Sequence, residues 1–423
     1  MNDVAPMFFV LLPTLALLPI IGRIGGREGP LIVGALVLQV MAAVIHVVIV
    51  REYYGYGDML GYWRSGLQLA AGLECGFIGF DDVISVVFQL DNPLLITGNG
   101  RTTGSMHGIA ALLCFVLDDS LYAICTCIAV AGFAARLWMF TALRRVWPTA
   151  SRSLAVALFL LPSTIFWSAA LLKEGVAIPG LALASGALIR MLHARRPSAL
   201  MIALMGIGAV VVGLTKPYLI VPLALSAAVG AFVRSESTLS SVPVALVVVV
   251  GLAGLGVLFP RYALGSVVES AEELRSLGIS HAGSSTFSIP SGGMAVILPL
   301  GVATALFRPL FFEVRSVMLL LSALEMGVVA WFVLRALPTP RAVLRGIRRS
   351  WLLASSVTFL IVFSVALGLS TTNLGTLARY RAPMMSHYGV VLVGLAAIAQ
   401  RRRLPLQSRQ PREYLPKAVG RES

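Results

Sequence analysis

The sequence predicts an all-α, polytopic integral membrane protein of about eleven transmembrane helices. Three observations predict it. Of 423 residues, 58% are hydrophobic and 12% charged, and the mean hydropathy is +0.89, values outside the range of water-soluble domains. The apolar residues come in long runs, close to the ~20 residues a helix needs to cross a hydrocarbon core. The arginines gather in short clusters between those runs, as the positive-inside rule requires. The net charge of +14 is therefore assigned to topology, and nucleic acid is excluded as a partner.

In chain order, the apolar spans fall at 7–22, 30–50, 120–143, 153–170, 175–192, 198–214, 218–233, 242–259, 316–334, 351–369 and 384–400. The first lacks a basic front and a small-residue cleavage site, so it reads as a helix and not a signal peptide. Two runs, 105–117 and 293–306, are short for a crossing and read as re-entrant or interfacial helices. Placing the clusters Arg23/Arg27, Arg144/Arg145/Arg152, Arg190/Arg195/Arg196, Arg335 to Arg349 and Arg401 to Arg403 in the cytoplasm fixes an N-terminus outside and a C-terminus inside. The loops 51–104 and 260–292 are then extracytoplasmic. Residues 1–403 form one transmembrane domain, and the polar, proline-containing stretch 404–423 reads as a disordered cytoplasmic tail. The four cysteines, Cys75, Cys114, Cys125 and Cys127, lack metal-ligand spacing, and small core residues are the expected role.

The most unusual stretch comes directly after the second span. Residues 53–63 carry four tyrosines, a tryptophan and one carboxylate, Asp58. Gly55 and Gly57 permit a tight turn, Asp58 then starts a helix, and Tyr62 lies one turn on along the same face. An aromatic interface belt with a helix-capping Asp is the plain alternative.

On the predicted topology, the remaining charges near membrane level all fall on the outer side. They are Asp58, Lys173, Glu174, Lys216, Arg308, Glu313, Arg315, Arg379 and Arg381. A charge at membrane depth costs about 2.5–3.5 kcal/mol on insertion scales, so a set of six cations there marks a functional site. Snorkelling to headgroups, or pairing such as Lys173 with Glu174, is the plain alternative for each cation taken alone. Lysines and arginines with few acids suit a lipid phosphate or pyrophosphate. Asp58 supplies a base for a hydroxyl. Together these are the minimum for glycosyl transfer from a lipid-phosphate donor.

These motifs resemble those of C-type, polytopic glycosyltransferases of bacterial polysaccharide loci. Gly57-Asp58-Met59-Leu60-Gly61-Tyr62 resembles their acidic D-x-x-x-Y signature in the first outer loop. Leu161-Pro162-Ser163-Thr164-Ile165-Phe166-Trp167-Ser168, followed by Lys173-Glu174, is similar to a segment of many members. Lys216-Pro217-Tyr218 resembles an Arg-Pro-aromatic step, with Lys in place of Arg. Arg308-Pro309-Leu310-Phe311-Phe312-Glu313 and Asn373-Leu374-Gly375-Thr376 with Arg379-Tyr380-Arg381 resemble later motifs. The resemblance implies an inner-membrane enzyme that uses polyprenyl-linked sugars and a glycan or lipid-linked acceptor. Asp58 would be the base, and Tyr62, Lys173, Glu174, Lys216, Arg308, Glu313, Arg379 and Arg381 would bind substrate. A divalent metal is the one cofactor to consider, with Asp81/Asp82 and Asp118/Asp119 as candidate ligands in place of the family's second acidic motif. O-antigen polymerases and ligases, which act on lipid pyrophosphate, are the runner-up. A lipid-linked oligosaccharide transporter would show internal halves and midplane charges; the charges here sit at helix ends instead. A purely structural membrane protein, for which these charges would be dispensable, is the third class.

Overall fold

A computed structural model describes residues 4–90, 101–194, 198–234, 294–336, 340–371 and 373–403. Among these residues the fold is all-α. The predicted span 242–259, the loop 260–292 and the tail 404–423 lie outside them.

Helices α1 (Met7–Gly25) and α2 (Gly29–Val48) adjoin one another across Gly26, whose φ of 63° ends the first helix. After α2 the chain winds through one π-helical segment, Ile49–Tyr54, and turns at Gly55 and Gly57 (φ 68° and 129°), a conformation that glycine alone adopts cheaply. Then come α3 (Asp58–Glu74), α4 (Phe80–Phe88), α5 (Arg101–Val116) and α6 (Leu121–Val146). The middle of the chain holds α7 (Ser151–Phe159), α8 (Pro162–Trp167), α9 (Lys173–Ala194), α10 (Ala199–Thr215) and α11 (Ile220–Arg234). The last described part holds α12 (Met294–Phe307), α13 (Val317–Ala336), α14 (Pro340–Arg349), α15 (Trp351–Ser370), α16 (Leu374–Arg381) and α17 (Met385–Arg403).

Six stretches among the described residues are long and apolar enough to cross a membrane: Met7–Tyr54, Leu121–Val146, Lys173–Ala194, Pro217–Arg234, Trp351–Gly368 and Leu374–Gln400. The first has 48 residues, about 72 Å if it were one straight helix, and contains both α1 and α2. The protein is thus a helical membrane protein, with six crossings supported by length and composition among the described residues.

The predicted crossing 153–170 is not one helix. It divides into α7 and α8, of nine and six residues. Pro162 has no N–H for the carbonyl of Leu158, four residues earlier. That carbonyl instead accepts from Arg136 Nη1 at 3.2 Å. Arg136 is wholly buried; its Nε donates to the Gly132 carbonyl at 3.3 Å and its Nη2 to Gln39 Oε1 at 2.8 Å. Gln39 Nε2 passes the connection to Ser168 Oγ at 2.8 Å, and Ser168 donates to the Thr164 carbonyl at 2.6 Å. A polar line from α6 through α2 therefore stabilises both the break and the turn 168–172 after α8. That turn matters for the site, because it places the start of α9.

Two buried clusters organise the interior. The larger joins α2, α6, α7, α9, α10, α11, α15 and α17 through residues such as Phe140, Phe159, Phe359 and Phe363. The smaller packs Met59, Leu60 and Tyr62 of α3 against Met106 and Cys114 of α5, Cys125 of α6 and the turn Ala169–Leu172. The helices run between two chemically different ends. At one, Arg144 donates to the Gly25 carbonyl at 2.7 Å, Arg190 to the Trp138 carbonyl at 2.9 Å, and Arg234 to the His193 carbonyl at 3.2 Å. The other end, about 30 Å away along the 22 residues of α9, carries the acidic and basic residues of the candidate site.

Candidate functional site

Four charged side chains from four parts of the chain form one continuous line of ion pairs. Asp58 Oδ2 lies 2.7 Å from Arg379 Nη1. Arg379 Nε lies 2.9 Å from Glu174 Oε2, and Glu174 Oε1 lies 2.8 Å from Lys216 Nζ. The signs alternate, so the line is neutral as a whole. Lys216 also donates to the Tyr218 hydroxyl at 2.9 Å and sits 4.1 Å from the Tyr380 ring centroid.

Each member is placed by a local feature of sequence. Asp58 is the first residue of α3, directly after the N-cap Gly57, and its carboxylate is bound to Arg379. Glu174 is in the first turn of α9, where a carboxylate suits the helix dipole. The preceding turn folds back so closely that a Cβ on Gly175 would lie 2.1 Å from the Ala170 carbonyl oxygen, and only glycine fits. Lys216 ends α10, where Pro217 stops the helix. Arg379 lies on the short α16, whose N-terminus is capped by Asn373 Oδ1, accepting from Gly375 and Thr376 N–H at 2.8 and 3.2 Å.

Burial divides the predicted set. The Asp58 side chain is 51% exposed and Arg379 18%, whereas Glu174 is 0% and Lys216 3% exposed. Arg381, two residues after Arg379 and so on another face of α16, is fully buried. It donates to the carbonyls of Ala305 and Arg308 at 3.4 and 2.5 Å and to Ser322 Oγ at 2.9 Å. Glu174, Lys216 and Arg381 thus lie inside the structure, whereas Asp58 and Arg379 reach its surface. Within the expected cluster of cations with few acids, Glu174 and Asp58 lie against Lys216 and Arg379.

Arg308 forms a second unit with Glu313. The guanidinium binds both carboxylate oxygens, and Glu313 Oε2 also accepts from the Leu310 N–H at 2.8 Å. Burial opposes ionisation of Glu313, but these donors outweigh it and hold its carboxyl below the ordinary carboxylate range. Arg381 ties this unit to α16 through the Arg308 carbonyl. Lys173 does not pair with its neighbour Glu174; its Nζ donates to Thr103 Oγ1 on α5 at 3.1 Å. Tyr62 is buried beside the line and meets the His107 ring edge-on at 5.6 Å. Burial first, and then the nearby Asp58 charge, keep its phenol protonated far past the ordinary range.

Asp82 is engaged in capping α4, accepting from the Gly79 N–H at 2.8 Å. Among the described residues no group of three or more His, Cys, Asp or Glu side chains could hold a metal ion. Sequence reasoning missed His46, on α2. It stacks on Phe166 at 4.1 Å and its Nδ1 lies 3.3 Å from the Phe166 carbonyl. A lone histidine within an apolar run was the available signal. Tyr380 was missed as well, although it stands between the two arginines of the last motif.

No family model, curated protein or solved structure matches the chain.

Proposed function

We propose that the chain is a membrane glycosyltransferase that moves a sugar from a polyprenyl-phosphate or polyprenyl-pyrophosphate donor to a glycan or lipid-linked acceptor. The reading places the reaction at the extracytoplasmic face of a bacterial inner membrane. The observation that supports it most is a half-exposed carboxylate, Asp58, beside a partly exposed guanidinium, Arg379, 2.7 Å away at one end of a helical membrane protein.

In this reading the acceptor hydroxyl oxygen attacks the anomeric carbon while its proton passes to an Asp58 oxygen. The bond from the anomeric carbon to the donor phosphate breaks, and its electron pair leaves on the phosphate oxygen. Arg379 stabilises that developing charge. Arg308 is a further cation at this end, 24% exposed. The motif resemblance supports the same assignment of Asp58.

The topology belongs to this proposal: about eleven crossings, N-terminus outside, C-terminus inside, with the site end outward. Both ends of α5 are tied to the site end, Thr103 through Lys173 and the turn after the helix through Trp63 Nε1, which donates to the Asp119 carbonyl at 2.9 Å. That geometry supports a run 105–117 that does not cross. A polymerase acting on lipid pyrophosphate is the second reading, favoured by the engagement of Asp58 with Arg379; there the arginines carry the donor without a carboxylate base. Reconstitution of the purified protein with radiolabelled polyprenyl-phosphate sugars and with lipid-pyrophosphate oligosaccharides tests both. Single sugar additions support transfer, a ladder of repeats supports the polymerase, and no turnover of any donor by folded protein contradicts the two together.

A further inference from the structure

Arg379 uses its nitrogens unequally. Nε is bound to Glu174, which is wholly buried and also bound to Lys216; Nη1 is bound to Asp58, which is half exposed and meets no second cation in the line. A phosphate that engages a guanidinium with two parallel hydrogen bonds from its outer edge needs Nη1 as well as Nη2. The nitrogen it needs is the one Asp58 holds. Nη1 carries two N–H groups, but two anions held on one nitrogen repel one another, so phosphate and Asp58 compete for that edge while Glu174 is not in the contest.

We propose that Glu174 is the fixed anchor of Arg379 and Asp58 its exchangeable partner, so that an incoming phosphate takes Nη1 from Asp58 and releases that carboxylate to act as the base. The inference rests on the glycosyl-transfer reading and adds an order of events to it: the base becomes free only when the donor is seated.

The physical asymmetry supports the exchange. An ion pair with one partner open to water is weaker and more screened by salt than a buried one, because the half-exposed Asp58 carboxylate is hydrated when the two part. A buried carboxylate between two cations has no such alternative, and removing it strands the buried Lys216 and leaves Arg379 with Asp58 alone. Asp58 also stands directly after Gly55 and Gly57, in the left-handed region at φ 68° and 129°, so its main chain lies at a turn and not within the bundle. Glu174 instead sits on α9, the site's most deeply buried helix. Glu174, with Lys216 behind it, is thus a positioning residue: it keeps the guanidinium aimed outward when Asp58 leaves.

The test is anion affinity measured on full-length protein in nanodiscs, which needs no turnover. Inorganic pyrophosphate is titrated by calorimetry, once in phosphatidylcholine discs and once in discs that also contain phosphatidic acid. A lipid-phosphate preference shows as competition by phosphatidic acid; a free-phosphate preference shows as an unchanged titration. Removing the competitor should tighten binding. Asp58→Asn is expected to bind pyrophosphate roughly fivefold more tightly than the native chain, the factor an exposed ion pair represents. Glu52→Gln, which neutralises an exposed carboxylate beside Arg51 in the same turn, should leave affinity unchanged and so controls for bulk charge. Glu174→Gln should weaken binding. Should that variant fail to fold, Arg379→Lys reports the same fork: it keeps the charge but lacks the second nitrogen, and the Asp58→Asn gain should vanish on that background. Weaker or unchanged binding by Asp58→Asn, or a gain that persists with Arg379→Lys, overturns the exchange while leaving the transferase reading standing. No binding of pyrophosphate or phosphatidic acid by the native protein overturns both.

Discussion

Glu174 is the charge whose loss the structure makes most costly. Glu174→Gln keeps the shape of the side chain but leaves Lys216 and Arg379 facing a neutral amide at 2.8 and 2.9 Å. Each contact is worth about 6 kcal/mol of direct attraction at an effective dielectric constant of ~20. Desolvation offsets most of that, and breaking one partner of a buried pair typically costs about 3–5 kcal/mol. Lys216→Met removes one cation and leaves Glu174 still bound to Arg379, so its cost should be smaller. In the double variant Arg379 retains Asp58 and no lysine is stranded. The double variant should therefore be less destabilised than the two single losses combined, by about 1–3 kcal/mol of coupling. The assay is SDS titration of the protein in mixed micelles, monitored by the fluorescence of its six tryptophans. Additive losses, within about 0.5 kcal/mol, would refute the idea that Glu174 and Lys216 stabilise one another.

Single contacts carry three further expectations. Arg136→Leu should destabilise by about 1–3 kcal/mol for each acceptor it orphans, Gln39 and the Leu158 carbonyl, measured by the same titration; a neutral outcome would mean that the α7–α8 break does not depend on it. Glu313 has a folded pKa below its ordinary 4.5, so its ionised form contributes stability that is fully present above about 4.5 and is lost as pH falls through the lower folded value. The stability gap between the native chain and Glu313→Gln should thus be constant near neutrality and close in acid, and a gap that widens in acid would contradict the sign. In a chain without native cysteines, Tyr53→Cys, exposed in the π-helical segment before Asp58, should react with an impermeant maleimide from outside intact cells and Ser408→Cys should not; the reverse pattern would invert the proposed orientation.

The membrane class was legible because burial in lipid needs runs of apolar residues, and those runs survive in α1, α2, α6, α9, α15 and α17. The start of α3 at Asp58 was legible for a local reason: two glycines, then a carboxylate, then an amphipathic segment. Where reading failed, the cause was non-local. The run 153–170 reads as one span by composition, and its break depends on Arg136, on another helix, supplying the donor that Pro162 lacks. The charges of the site were visible as residues, but their partners were not. Glu174 stands next to Lys173 in sequence and pairs instead with Lys216 and with Arg379, 205 residues away. Arg379 and Arg381 look equivalent in the motif; helical geometry turns one to the line of ion pairs and the other into packing against α12 and α13.

The proposed sugar transfer depends on Asp58 as the base. Its most direct test is transfer of a radiolabelled sugar from a polyprenyl-phosphate donor by purified protein in proteoliposomes, native chain against Asp58→Asn. Because Asn keeps the shape and cannot take the proton, the rate should fall by about 10²–10⁴-fold, with folding intact and donor still bound. Transfer by Asp58→Asn at the native rate would contradict it.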